Sequence, residues 1–250
     1  MADVDPNNIV SSGRAPGSTV GLLAPVVIDK NLTIGGNVPF TLTSGGIALD
    51  VTGSRILTVG DAVTIETTGV SAHGIRSLAG NSTIHFAGSL STVGVAAIGI
   101  NAGGGGNHIS VSGDVTTDGD SAVGVRALGA GNIVVVTGLI RTRGPNSAAV
   151  GIGTDSSVSM SGRVEGLGDT NTAIIIGSGS TVEMSGSLLM SGSNAQGIIA
   201  GAGGSDILVS GDIIITGGTF SLGILTASDA NTVEITGNYR LDVPHLTLVG

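Results

Sequence analysis

A motif that returns about every 25 residues is the strongest constraint on how this chain folds. The segment NHISVSGDVTT (107–117) recurs as NIVVVTGLIRT (132–142) and as DILVSGDIIIT (206–216). With the turn residue as marker, the motif occurs at Gly36, Asp61, Gly88, Gly113, Gly138, Gly162, Gly186, Gly211 and Gly237, and successive markers lie 24 to 27 residues apart. A repeat of this length is typical of solenoids, in which each copy packs only against its neighbours.

Each repeat contains three short segments with the pattern of β-strands. The first segment precedes the marker. In it, apolar residues alternate with residues of varied polarity, as in Ile109-Ser110-Val111, which indicates a strand with one buried face. The second segment follows the marker, at Val38/Phe40, Val63/Ile65, Leu90/Thr92, Val115/Thr117, Ile140/Thr142, Val164/Gly166, Leu188/Met190, Ile213/Ile215 and Tyr239/Leu241. The third has an Ala-x-Gly-Ile/Val pattern or a variant of it, at 72–75, 97–100, 122–125, 149–152, 173–176, 195–198 and 221–224.

Three strands per repeat predict an all-β fold, a single-stranded right-handed parallel β-helix of about nine coils of about 25 residues each. The handedness follows from the general right-handed crossover of parallel strands. We expect the β-helix to cover residues 26–243, with residues 1–25 as a candidate N-terminal cap and 244–250 as a tail or the start of a further coil. Hydrophobic residues make up 40% of the chain but aromatic residues only 2%, which favours a narrow aliphatic interior.

Two kinds of residue are expected at the corners between strands. The chain contains 45 glycines, and we expect them to supply corners with positive φ, where a β-branched residue would be strained. Another corner carries a row of small polar residues, at Asn107, Asn132, Ser156, Ser180, Ser205 and Asn231. Stacked polar side chains of this kind hydrogen-bond along the axis of a column.

Charge and cysteine content exclude several classes of function. The chain has 18 acidic and 9 basic residues, for a net charge of −9, which argues against nucleic acid or an anionic membrane as a partner. The absence of cysteine excludes disulfides and thiolate metal sites. The apolar runs are too short to span a bilayer, so we expect no membrane span in this chain.

The sequence offers few candidates for a metal or catalytic site. Its four histidines are His73, His85, His108 and His245. No two of them share a coil at metal-ligand spacing. Asp114, Asp118 and Asp120 lie close together and carry the oxygen ligands that Ca²⁺ prefers, but the nonapeptide repeat of calcium-binding β-rolls is absent. We therefore predict no catalytic, cofactor-binding or metal-binding residues, and no cofactor.

Three glycine-rich runs resemble the repeats of autotransporter passenger domains of the pertactin-like β-helix type. They are GGGGNHISVSG (103–113), GAGNIVVVTG (129–138) and GSGSTVEMSG (177–186), and the resemblance covers residues from about 26 to 243. It implies a β-helix that is exported through an outer-membrane barrel. Because no barrel follows the repeats in this sequence, we expect a passenger fragment that lacks leader and barrel, with a free-standing solenoid as the alternative.

The resemblance implies a non-enzymatic, secreted or cell-surface scaffold of a Gram-negative bacterium that acts in adhesion, self-association or surface display. The expected partners are other copies of the chain, bound through the solenoid ends or faces, and a host or matrix ligand that the sequence does not identify. A self-assembling structural solenoid that forms filaments is one alternative. Uncapped solenoid ends carry unpaired backbone groups, which can template such pairing.

A polysaccharide-degrading or polysaccharide-binding β-helix is the other alternative. Asp118 and Asp120 faintly resemble the aspartate motif of β-helical pectin hydrolases, which also require carboxylates and basic residues on neighbouring coils. The neighbouring loops offer Arg141, Arg143, Glu165 and Asp169. At about 4.8 Å per coil, Asp120 and Asp169 lie about 10 Å apart, the upper edge of the separation in inverting glycosidases. Because the motif is incomplete, we predict that the chain is not an enzyme.

Overall fold

The computed structural model describes residues 15–35, 38–201, 203–216, 218 and 220–242. These residues form 28 strands and no helix. Each coil contributes one strand to each of three parallel sheets, here named A, B and C, in the same order along the chain. It completes nine coils and begins a tenth with its last strand. The predicted all-β solenoid of about nine coils is confirmed, and its right-handed winding stays a prediction.

Each sheet contains one strand from every coil. Sheet A contains β1 (Ser18–Leu22), β4 (Phe40–Ser44), β7 (Val63–Thr68), β10 (Ser89–Val93), β13 (Asp114–Thr117), β16 (Leu139–Thr142), β19 (Arg163–Gly166), β22 (Ser187–Ser191), β25 (Asp212–Thr216) and β28 (Tyr239–Asp242). Sheet B contains β2 (Val26–Ile28), β5 (Leu49–Val51), β8 (His73–Ser77), β11 (Ile98–Ala102), β14 (Val123–Ala127), β17 (Ala148–Ile152), β20 (Thr172–Ile176), β23 (Gln196–Ala200) and β26 (Leu222–Thr226). Sheet C contains β3 (Leu32–Ile34), β6 (Ile56–Val59), β9 (Thr83–Phe86), β12 (His108–Val111), β15 (Ile133–Val136), β18 (Ser157–Met160), β21 (Thr181–Met184), β24 (Asp206–Val209) and β27 (Thr232–Ile235).

Sheet C has the register that the repeat predicts. Ile109 pairs with Ile84 in one neighbouring coil and with Val134 in the other, and all three side chains are fully buried. The residue between the two inward positions of each strand points outward, as alternation requires. The inward aliphatic rows therefore stack along the whole length of this sheet.

Sheet A departs from the predicted register in its first coils. Phe40 pairs with Val63, and Ile65 pairs with Leu90, so each of the first two steps between predicted pairs is displaced by two residues, and the first pair is four residues out of register with Leu90/Thr92. The cause is a longer corner, because residues 60–62 separate Val59 from Val63, whereas Ala87 alone separates the equivalent positions of the next coil. A displacement of two residues keeps the same face inward, and alternation alone does not reveal it.

Sheet B shows the same kind of displacement in two coils. Val150 pairs with Val125 and with Ile174, so the third segments lie at 147–150 and 171–174 rather than at the predicted 149–152 and 173–176. Ala149 and Ala173 stand where other coils carry glycine, which explains why matching alanine to alanine gave the wrong register.

The paired strands begin before residue 26. Strand β1 pairs with β4 over its full length, from Ser18 with Phe40 to Leu22 with Ser44. Parallel pairing in sheet A therefore extends into the predicted N-terminal segment, as far as Ser18. Residues 1–14 of the predicted cap, and the predicted tail, lie outside the described residues.

The corner from sheet C to sheet A requires glycine for lack of space. A Cβ on Gly162 would overlap the carbonyl oxygen of Gly138 one coil earlier, and a Cβ on Gly138 would overlap that of Gly113. None of these glycines has a positive φ, so the expected reason for glycine is wrong at this corner. It holds at the corner from B to C, where Gly106, Gly131, Gly179 and Gly204 have positive φ.

The corner from A to B has positive φ at residues other than glycine as well as at glycines. The non-glycine residues are Ser71, Ala96, Ser121, Asn146, Thr170, Asn194 and Phe220, and the glycines are Gly69, Gly94, Gly192 and Gly218. The amide of Ala96 donates to the carbonyl of Asp120 at 2.8 Å, and the amide of Thr170 donates to that of Ser193 at 2.7 Å. Because these bonds run to the next coil, they satisfy backbone groups that lie outside the strands.

The predicted polar row forms a continuous ladder at the corner from B to C. The backbone amide of Asn107 donates to Oδ1 of Asn132 at 2.9 Å, and the amide of Asn132 donates to Oγ of Ser156 at 3.0 Å. The ladder continues through Ser180, Ser205 and Asn231. It begins one coil before the predicted row, where the amide of Ser82 donates to Oδ1 of Asn107. Each side chain thus satisfies an amide of the preceding coil that would otherwise be unpaired.

A column of threonines occupies the interior beside sheet A. Thr67, Thr92, Thr117 and Thr142 stack in register and are at most 1% exposed. The hydroxyls of the first three have no hydrogen-bond partner among the described residues. The hydroxyl of Thr142 differs, because it accepts a bond from Nδ2 of Asn171 at 3.4 Å.

We expect Gly162→Ala to lower the free energy of unfolding by about 3 kcal/mol, because the added methyl overlaps backbone that cannot move alone. Gly151→Ala is the matched control, since no atom lies within 4 Å of its Cβ position, and it should leave stability nearly unchanged. Urea unfolding followed by circular dichroism measures both. Equal midpoints for the two variants would contradict a steric role for the corner glycine.

We expect Thr117→Val to raise the free energy of unfolding by about 1 kcal/mol, because it removes a buried hydroxyl that lacks a partner. Thr142→Val should instead lower it by about 1 kcal/mol, because Asn171 loses an acceptor. The same urea experiment compares the two variants. A loss of stability in Thr117→Val as large as that in Thr142→Val would show that both hydroxyls are satisfied.

Candidate functional site

The aspartates of the loop after β13 are engaged in holding neighbouring coils. Both carboxylate oxygens of Asp118 accept bonds from Nη1 of Arg143 at 3.0 Å. Oδ1 of Asp120 accepts bonds from Nδ2 of Asn146 and from Oγ of Ser121, each at 3.1 Å. These carboxylates link one coil to the next and are already occupied by protein donors.

The electrostatics of Asp120 are opposite to those of a glycosidase acid. The hydrogen bond from Asn146, followed by that from Ser121, lowers the pKa of the Asp120 carboxyl below its usual value. A general acid in sugar cleavage needs a raised pKa, so that it carries a proton at neutral pH. Asp169, the other candidate, accepts a bond from the backbone amide of Ser193 at 2.7 Å. Both carboxylates are thus engaged as acceptors of hydrogen bonds from neighbouring residues.

The remaining candidates of the hydrolase-like motif form an ion-pair cluster on sheet A. Glu165 is only 6% exposed. Its Oε2 lies 2.5 Å from Nε of Arg141, and its Oε1 lies 2.7 Å from Nη2 of Arg163. A buried carboxylate is tolerated when it is paired and hydrogen-bonded in this way. The three charged side chains of this cluster therefore pair with one another and have a structural role.

A shallow groove of about 680 Å³ runs along the corner from C to A over the later coils. Stacked hydroxyls from Thr137, Ser161, Ser185 and Ser210 line it beside the corner glycines. Further lining residues are Asp114, Leu139, Arg163, Ser187 and Asp212. A row of small hydroxyl groups can donate and accept hydrogen bonds, so the groove is suited chemically to an extended, polyhydroxylated chain.

The two ends of the described solenoid differ in how their interiors are covered. In the first coil, the inward side chains Val26 and Ile28 are at most 4% exposed. In the last strands, the inward side chains Val233, Ile235 and Tyr239 are 39%, 41% and 42% exposed. Core positions of the repeat thus lie on the surface at the C-terminal end of the described chain.

Two histidines on different coils are neighbours in the structure. His85 on β9 and His108 on β12 have ring centroids 6.1 Å apart with their planes at 77°. They belong to adjacent coils, because Ser110 pairs with His85 and His108 pairs with Thr83. Their spacing of 23 residues, close to one repeat, was the signal in the sequence that could have indicated this proximity. The described residues contain no group of three or more potential metal ligands.

A polar ladder on the outer face of sheet B was not anticipated from the sequence. Arg76 donates from Nε and Nη2 to the two carboxylate oxygens of Asp50, and Nε of Arg126 donates to Oδ1 of Asn101 at 3.1 Å. Burial lowers the pKa of nearby His73 below 6.5, and the charges of Arg126 and Arg76 lower it further, against a raising hydrogen bond with the backbone of Ala72. These side chains come from four successive coils. Their proximity requires the correct coil register.

We expect acidification to destabilise the fold partly through His73. Because its folded pKa is lowered, the unfolded chain binds more protons between that pKa and about 6.5, and stability falls as pH decreases through this window. His73→Gln introduces the residue found at the equivalent position 196 and should reduce the loss of stability between about pH 7.5 and pH 5. Urea midpoints at the two pH values measure it. Equal losses in the two proteins would contradict this role.

Among the described residues, no helix has the length and apolar character needed to cross a membrane. Comparisons of the chain with protein-family models, with curated proteins and with solved structures find no match.

Proposed function

We propose that this chain is a non-enzymatic, secreted or cell-surface scaffold that acts by self-association, in the manner of an autotransporter passenger involved in adhesion or surface display. The observation that carries the proposal is the exposed end, formed by the inward-row side chains Val233, Ile235 and Tyr239 of the last strands. Side chains at the paired positions of the preceding coil are at most 2% exposed, whereas Val233, Ile235 and Tyr239 are 39%, 41% and 42% exposed.

The exposed end combines apolar side chains with strand edges. Strand β27 is the last in sheet C and β28 the last in sheet A within the described residues, so each has one strand edge without a described neighbour. An edge of this kind is a template for pairing with another chain. Apolar burial and backbone pairing would both stabilise such a contact.

The difference between the two ends favours one mode of association. Leu22, Val26 and Ile28 are at most 8% exposed, so these inward positions of the first coil offer little apolar surface for end-to-tail growth into a filament. Two exposed ends can instead meet in a closed, isologous dimer, in which the same patch serves both copies. The proposed unit is therefore a rod of two solenoids joined at their C-terminal coils.

The polar candidates support a structural role over a catalytic one. Asp118, Asp120 and Glu165 are each held by protein hydrogen bonds or ion pairs, and the lowered pKa of Asp120 opposes use as an acid. The hydroxyl-lined groove favours polysaccharide binding as a second candidate function, since its lining is polar and runs across several coils.

We expect light scattering coupled to size-exclusion chromatography to show dimers whose fraction increases with concentration. The double variant Val233→Lys/Ile235→Lys should be monomeric, because two charges oppose burial at the exposed end. Ile133→Lys is the matched control, since Ile133 is 46% exposed on the outer face of sheet C, and it should associate like the unmodified chain.

Circular dichroism is the check that each variant retains its β structure. A strictly monomeric unmodified chain at high concentration would overturn the proposal. Association of the double variant at the unmodified level would place the contact elsewhere, and growth into fibres would contradict the closed dimer.

A further inference from the structure

We propose that His85 and His108 form a binding site for a divalent transition-metal ion such as Zn²⁺ on the outer face of sheet C. The two imidazoles come from neighbouring strands and lie with their ring centroids 6.1 Å apart. Imidazole nitrogen is a common ligand for such ions. The site is independent of the exposed end, because it lies in the early coils on a different surface.

The separation of the rings suits one shared ion. A zinc–nitrogen bond measures about 2.0–2.1 Å, so an ion lies about 3 Å from the centroid of each ring that binds it. Two imidazoles on the same ion therefore have centroids about 5 to 6 Å apart, depending on the angle at the metal. The observed distance of 6.1 Å lies just above this range, and rotation of the exposed His85 side chain would bring its nitrogen to the shared ion.

The backbone already fixes the relative position of the two histidines. Inward neighbours Ile84 and Ile109 are fully buried and paired in register, so the strands that carry the imidazoles cannot slide past each other without disturbing the core. Ligands that are placed on rigid elements bind with less loss of conformational entropy than ligands on mobile loops. The spacing of the pair is thus a property of the coil stack.

The surroundings of the pair do not compete with a cation. The outward neighbours in the same rows are Thr58, Thr83, Ser110 and Ile133, none of which is charged. The hydroxyls of Thr83 and Ser110 offer oxygen atoms beside the imidazoles, while the net charge of −9 draws cations toward the protein. Two protein ligands leave the other positions of a tetrahedral ion for water or added ligands.

The test is isothermal titration of the intact chain with ZnCl₂ at about pH 7.5, where histidine is mostly neutral. We expect one ion per chain, with at least a tenfold loss of affinity in His85→Ser and in His108→Thr. These substitutions insert the residues that the adjacent strands carry at the paired positions, Ser110 and Thr83, so the β-helix should be retained.

His73→Gln serves as the control, because His73 lies on sheet B, and its binding should match that of the unmodified chain. His245 is retained in every variant, so any contribution from it is common to all. No measurable binding by the unmodified chain would overturn the proposal. Unchanged affinity in either single variant would do the same, because it would show that the two rings make an edge contact without sharing an ion.

Discussion

The structure depends on the register in which each coil stacks on the preceding one. In sheet C, Val136 pairs with Val111 and with Met160, so the same strand completes the hydrogen bonds and the aliphatic interior of both neighbours. Parallel strands in a closed column gain little from any coil by itself, because one coil cannot bury its inward face. The corner ladder through Asn107 and Asn132 adds side-chain bonds to the same coil-to-coil contact. Stability therefore accumulates between coils.

This register also decides which polar groups meet on the surface. Arg141 and Glu165 are 24 residues apart and form an ion pair, whereas residues close in sequence often point to different faces. The same rule joins Asp50 to Arg76 and brings His85 beside His108. Candidate sites on this protein are therefore formed by side chains from successive coils. The proposed metal site is one example, because His85 and His108 lie on adjacent coils. At the exposed end, the inward rows of sheets C and A reach their last described strands, β27 and β28, and no described coil covers them.

The sequence was sufficient for the fold class, the strand content and the inward rows of sheet C, because alternation and period are both visible in it. It was insufficient for register in parts of sheets A and B, since a slip of two residues at Val63 or Ala149 leaves the pattern of buried positions unchanged. The reason for glycine at position 162 was also hidden, because the obstacle is a carbonyl from another coil. For the same reason, the engagement of Asp120 by Asn146 and the contact of the two histidines required coordinates.

The column of corner glycines has a consequence for how such a rod changes length over evolution. Each glycine leaves room for the carbonyl of the glycine beneath it, and each ladder residue supplies the acceptor for the amide beneath it. A duplicated coil brings both features with it and meets a compatible surface on either side. A duplication of part of a coil would place a side chain over a carbonyl and leave an amide unpaired, so growth and shortening are restricted to whole turns of the chain.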